Sequence, residues 1–168
     1  MAQLAATGWW YRPAARNILP NVDDVDRSIL AVLDQDGRIS NAELAERVGL
    51  SPSPCLRRVR RLERTGVISG YRAIIDPAAI NRSLKVLVGV RLVRHARTDV
   101  VAFENAVIEL PEVQCTYHVA GNFDYTLQVE VADLPAYEHF HAHRLAALPS
   151  VAAVTSYMTM KTLNRATT

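Results

Sequence analysis

"SPSPCLRRVRRLERTG", Ser51–Gly66, carries five arginines within eight residues, at 57, 58, 60, 61 and 64. At ~100° per residue, Cys55, Leu56, Val59 and Leu62 fall on one side of a helix. Ser53, Arg57, Arg60, Arg61 and Arg64 spread over the opposite arc, with Arg58 toward its edge. One side is built to pack and the other is loaded with guanidinium. Like charges one turn apart, such as Arg57 and Arg61, each cost roughly a few tenths of a kcal/mol. Phosphates would supply the missing negative charge. Arginine can also grip guanine bidentately in a major groove, worth ~1–3 kcal/mol of discrimination. A merely solvated face is the plain alternative for this helix alone, and its neighbours argue against it.

Ser51 caps this helix in the sequence, with Pro52 at the first position, where proline is tolerated. Just upstream, "SNAELAERVGLS" opens on Ser40 with Glu43 three residues on, a capping box, and Gly49 stops the helix after about two turns. Leu44, Ala45 and Val48 form its inner face. Further back, "NVDDVDRSILAVLDQDGR" places Val25, Ile29, Val32 and Leu33 at helical spacing, with Asp23 or Asp24 as cap and Gly37 as terminator. A short helix, a glycine-containing turn and a second helix have the spacing of a helix-turn-helix. Downstream, "GVISGYRAIIDP" offers two β-like runs around Ser69-Gly70, read as a wing.

The whole chain of 168 residues has a formal charge of only +2, so its positive charge is local. Arg57 to Arg72 contains six arginines and one acid, Glu63. A local basic patch points to a polyanion. Cys55 and Cys115 form no CxxC pair, which favours free thiols and a reducing, cytoplasmic compartment. No apolar run approaches the roughly 18 residues of a membrane span. The start, "MAQLAATGWWYRPAARNILP", lacks a signal-peptide pattern and is read as a poorly ordered tail over residues 1–21, with "GWWY" able to dock elsewhere.

After the DNA-binding segment, 22–75, "DPAAINRS" at 76–83 breaks the pattern and reads as a linker. The periods then alternate over 84–165. "KVLVGVRLV" is a strand. "TDVVAFENAVIEL" is a helix capped by Thr98 or Asp99, with Val101, Phe103, Val107, Ile108 and Leu110 apolar. "EVQCTYHVA" and "YTLQVEVA" are strands joined by "GNFD". "DLPAYEHFHAHRLAAL" is a helix opened by Asp133, and "VAAVTSYMTMKTL" a last strand. The order β-α-β-β-α-β predicts an α+β chain: a winged helix-turn-helix joined to a ferredoxin-like domain with both helices on one sheet face. Apolar residues on the other face predict packing against another copy. A dimer also suits DNA half-sites about 34 Å apart.

"VGLSPSPCLRRVRRLE" and the surrounding stretch resemble the DNA-binding half of the leucine-responsive regulatory protein and AsnC family of prokaryotic transcription regulators. "VAGNFDYTLQVEV" is similar to the effector loop of that family's second domain, and the likeness runs from about Asp23 to Leu163. The resemblance implies dimers that associate further, commonly to octamers, bend double-stranded DNA and respond to an amino acid or related small molecule. It implies that Ser51, Ser53, Pro54 and Arg57 face base edges and that Arg58, Arg60 and Arg61 serve backbone or groove contacts. Ser40 and Asn41 would meet phosphate at a helix start. The effector would lie against Gly121, Asn122, Phe123, Asp124 and Tyr125, with selectivity from Leu134, Tyr157, Met158 and Thr159.

Physical chemistry supports the loop assignment: Gly121 permits a tight turn, exposed amides can cradle a carboxylate, and Asp124 can accept from an ammonium. A plain hairpin turn is the alternative. His139 and His143 share a helix face, yet no HExxH pattern or nearby cysteine supports a metal, and no cofactor motif is found. No GxSxG, P-loop or dinucleotide fingerprint favours an enzyme, and Asp124 with His118 is not an acid–base pair on fold grounds alone. A ligand-independent DNA-compacting protein is the rival function.

Overall fold

The computed structural model describes residues 21–162, so "GWWY" and Leu163 lie outside the described residues. The chain divides into two compact units between Ile74 and Ile75.

The first unit holds α1 (Asp24–Gln35), α2 (Asn41–Arg47) and α3 (Pro52–Arg64). Asp23 rather than Asp24 caps α1: its carboxylate accepts from Asp26 N at 2.8 Å, and the Asp26 carboxylate accepts from Asp23 N at 3.2 Å. Ser40 and Glu43 close the same reciprocal box on α2. Ser51 precedes α3 without a side-chain cap bond, contrary to the sequence reading. Gly49 turns the chain between α2 and α3 at φ +69°, in the region that favours glycine. Ile29, Leu44, Ala45, Cys55 and Leu62 form the buried core. Leu56, placed on the packed stripe by its spacing, instead stands exposed among the arginines.

The wing does not form as a paired hairpin: no strand occurs between Val67 and Asp76. Ile68 N donates to Leu62 O at 3.1 Å, folding the first arm against α3, and the Tyr71 hydroxyl donates to Glu63. The second arm leaves Ile74 95% exposed, with no apolar face to hold a strand. A two-stranded ribbon without a packed face is marginal in water.

The second unit begins with a single 3-10 turn, Pro77–Ile80, capped by Asp76. It continues through β1 (Leu84–Leu92), α4 (Arg97–Ile108), β2 (Val113–His118), β3 (Tyr125–Val131), α5 (Leu134–Phe140) and β4 (Val151–Met158). The sheet is antiparallel in the order β2-β3-β1-β4, as the α+β ferredoxin-like reading requires. Val86, Val88 and Val90 of β1 and Leu127 and Val129 of β3 meet Phe103 and Val107 of α4 and Tyr137 and Phe140 of α5. The alternation that buries them turns Leu87, Tyr117 and Tyr157 outward on the other face.

Three local features differ from the sequence reading. Helix α4 starts at Arg97 after Ala96, without a side-chain cap, and leaves Val101 and Ile108 exposed. Helix α5 passes into a π turn at His141–Leu145, where Ala146 N reaches His141 O, which brings Leu145 into the core. Strand β4 ends at Met158, short of the segment assigned to it. Phe103→Ala should destabilise the second unit by about 3–5 kcal/mol, read as a lower urea midpoint with an unchanged transition in the helical unit.

Candidate DNA interface and effector loop

The acid-rich start of α1 does more than cap it. Arg58 Nη1 donates to Asp23 Oδ2 at 2.6 Å and to Asp26 Oδ1 at 2.9 Å, and Arg61 Nη2 donates to Asp26 Oδ2. The Asp26 side chain is 0% exposed. Two of the five arginines therefore find their counter-charge inside the protein and fasten α3 to α1. The Arg58 guanidinium holds the Asp23 carboxyl below its ordinary value, and the two aspartates in turn raise Arg58. Arg58 and Arg61, assigned to DNA by resemblance, are thus committed to ion pairs that set the helix orientation.

Arg57, Arg60 and Arg64 make no hydrogen bond or ion pair with any described residue. With Ser53, Leu56 and the ion-paired Arg58 and Arg61 they wall a shallow groove along α3. Ser51 and Ser53 are exposed at its start and Pro54 is half-buried. Pro52 and Pro54 have no N–H, which weakens any phosphate site at this helix start. Asn41 is used internally: its Nδ2 donates to Pro52 O at 2.9 Å and ties the start of α2 to the start of α3. The Ser40 hydroxyl donates to Glu43 at 2.7 Å, so it too is engaged within its capping box.

In the second unit, Gly121 turns the β2–β3 loop at φ +155°. Val119 N donates to Asp124 O, and Asp124 N donates to Val90 O, each at 2.9 Å. The amides of Gly121, Asn122 and Phe123 make no hydrogen bond to any described residue. Asp124 is not a free acceptor, however. Its carboxylate accepts from Leu92 N at 2.7 Å and pairs with His95 Nε2 at 2.8 Å. The Leu92 amide, aided by His95, holds its carboxyl below the ordinary value. His118, the neighbour suggested by sequence, instead stacks on Tyr125.

Tyr125 is buried: it is 1% exposed, packs on Phe103 and donates to Glu104 at 2.7 Å. Burial and the Glu104 carboxylate raise its hydroxyl well above the ordinary value. Its place in the alternation of β3 points it toward the helices. Tyr157, opposite Leu87, lies on the open face with its ring edge toward Phe123, centroids 6.4 Å apart. Met158, opposite Val86, points the other way. Leu134 and Thr159 sit past the far ends of β3 and β4, and Thr159 N donates to Lys85 O. Seven strand residues at ~3.3 Å each separate Leu134 from the loop by about 20 Å. One protomer therefore brings Gly121–Asp124 and Tyr157 together but not Leu134, Met158 or Thr159. His139 and His143 have ring centroids 4.9 Å apart, and no group of three metal-ligating side chains occurs among the described residues.

Residues 22–69 match the family described as winged helix-turn-helix DNA-binding, and residues 85–168 match the Lrp/AsnC ligand binding domain. The leucine-responsive regulatory protein of Escherichia coli K12 is 46% identical over 141 residues, 84% of this chain and 86% of that protein. The chain belongs to the Lrp/AsnC family. Two solved members are similar throughout. A transcriptional regulator of Neisseria meningitidis in complex with L-methionine superposes with TM-score 0.82 at 36% identity, covering 85% of this chain and 92% of that one. The feast or famine regulatory protein of M. tuberculosis, complexed with L-methionine, gives 0.75 at 34%, covering 86% and 95%. The protein is a DNA-binding transcriptional regulator with a ligand-binding domain, and not an enzyme. No helix among the described residues is long and apolar enough to cross a membrane.

Asp26→Asn should destabilise the helical unit by roughly 2–3 kcal/mol, under the range for a wholly buried pair because both guanidinium groups keep some solvent. Asp23, whose folded carboxyl titrates below its ordinary 3.8, contributes stability that is full above that pH and lost as pH falls through the lower value. Asp23→Asn should flatten the acid limb of the stability–pH profile below that point, followed by circular dichroism.

Proposed function

We propose that α3 enters the major groove with Ser51, Ser53, Pro54 and Arg57 at base edges, and with Arg60 and Arg64 on flanking phosphates. Leu56 adds an apolar contact suited to a thymine methyl. Arg58, Arg61, Ser40 and Asn41 hold the helices in place. The observation that carries this reading is the split of one arginine run into two residues ion-paired to α1 and three unpaired cations.

In the second domain, 84–165, reached through the 76–83 linker, the unpaired amides of Gly121, Asn122 and Phe123 take the carboxylate of an amino acid. Phe123 and Tyr157 flank its side chain. Leu134, Met158 and Thr159 join such a pocket only from another subunit. Two copies paired through the open sheet face, and further association toward an octamer, would bring them there. Ligand binding at that seam biases assembly and so DNA geometry. L-methionine, carried by two solved relatives, is the first ligand to try. The site of action is the cytoplasm, where free thiols persist.

Arg60→Ala should leave folding intact and lower the slope of log affinity against log salt by about 2 per dimer, one phosphate from each recognition helix. Arg57→Ala should cost ~1–3 kcal/mol per half-site and relax sequence preference. Arg58→Ala should do the reverse of Arg60→Ala, lowering the thermal midpoint with little change in salt slope. Selection of bound sequences from random DNA, with and without pooled amino acids, measures both readout and response. Equal enrichment in the two arms, with no heat on titrating any of the twenty amino acids, would favour the architectural function.

A further inference from the structure

Gly89 lies in the middle of β1, opposite Thr126 on β3 and Thr155 on β4. Its backbone is ordinary strand, so conformational freedom does not account for a glycine there. Space does. A Cβ on Gly89 would stand 2.7 Å from Cδ1, Cδ2 and Cε2 of Phe123. Three equal distances that short place the ring face-on in the slot left by the missing side chain. Register puts Gly89 on the open face of the sheet, yet it is buried, because Phe123 covers it.

Next along the loop, Asp124 fastens to the same strand through Val90 O and Leu92 N. The loop is thus seated on β1 at three points within Gly89–Leu92, while the amides of Gly121 and Asn122 stay unpaired among the described residues.

We propose that Gly89 is a positioning residue for the ligand loop: its slot seats Phe123, and the seated ring fixes where Gly121 and Asn122 present their amides to a ligand carboxylate. The proposal rests on the effector reading above. It also assigns the ligand's character. An amino acid held by its carboxylate at these amides lays its side chain along the edge between Phe123 and Tyr157, which suits an aliphatic or thioether group. A methyl at position 89 lifts the ring and carries the amides with it.

The test uses the full-length chain labelled with 13C-glycine, whose seven glycines give few signals. The ring over Gly89 should shift its α-proton resonances upfield, and Phe123→Ala should return them to ordinary positions. By calorimetry, Gly89→Ala should weaken L-methionine binding about tenfold or more, the usual scale of overpacking. The double variant Gly89→Ala with Phe123→Ala should bind no worse than Phe123→Ala alone. Wild-type affinity in Gly89→Ala, or additive losses in the double variant, overturns the proposal. If Gly89→Ala alone fails to fold, the comparison of the double variant with Phe123→Ala still decides it. If the wild type binds none of the twenty amino acids, the effector reading and this role fall together, and an intact upfield shift distinguishes that failure from one of packing.

Discussion

The carboxylate of Asp26 is the constraint on which the DNA-binding unit depends. It is wholly occluded, it closes the capping box of α1, and it receives Arg58 and Arg61 from α3. A charge at that depth is tolerable only with partners in good geometry. The requirement runs both ways: α3 must dock at one rotation about its axis, or Asp26 is left unpaired. Apolar packing alone would be more forgiving, since Cys55 and Leu62 could slide within a small core. The ion pair thus fixes a rotation that the hydrophobic contacts merely permit, and that rotation decides which arginines face outward.

The second unit repeats the device at smaller scale. Asp124 joins a loop to the end of β1 by accepting one backbone amide and one imidazole, as Asp26 joins two helices. In both places a carboxylate spends its acceptors on its own chain, and the groups left unpaired are donors: guanidinium on α3, backbone N–H on the loop. Both candidate surfaces therefore present donors, the chemistry that suits an anionic group.

Much of the fold was legible because its signals are local. The cap at Asp23, the box at Ser40, the alternation of β3 and the glycine stop at Gly49 all act within a few residues. The two arms around Ser69-Gly70 do not pair because "VISG" and "YRAII" have strand composition but no face to pack, and propensity without burial does not make a ladder. The sites were legible as segments and not as contacts. Helical spacing separates Leu62 from Arg57, but it cannot tell that Arg58 and Arg61 meet acids more than thirty positions away. The acid cluster at 23–26 reads in sequence as a helix start, and nothing local marks it as the partner of α3. Nothing near His95 marked it as a partner of Asp124. Gly89 left a trace: a glycine inside a strand signals a close approach, and here the approaching group is Phe123.

A net charge of +2 looks too small for a DNA-binding protein, and the accounting of acids resolves this. Affinity for a polyanion depends on the field at the contact face, not on the sum over the chain. Asp23 and Asp26 neutralise Arg58 and Arg61, and leave Arg57, Arg60 and Arg64 as the unpaired cations of the groove along α3. The acids thus do not oppose DNA binding. By pairing with two arginines they fix the rotation of the helix that carries the rest, and a docked helix loses less freedom on meeting a ligand than a mobile one.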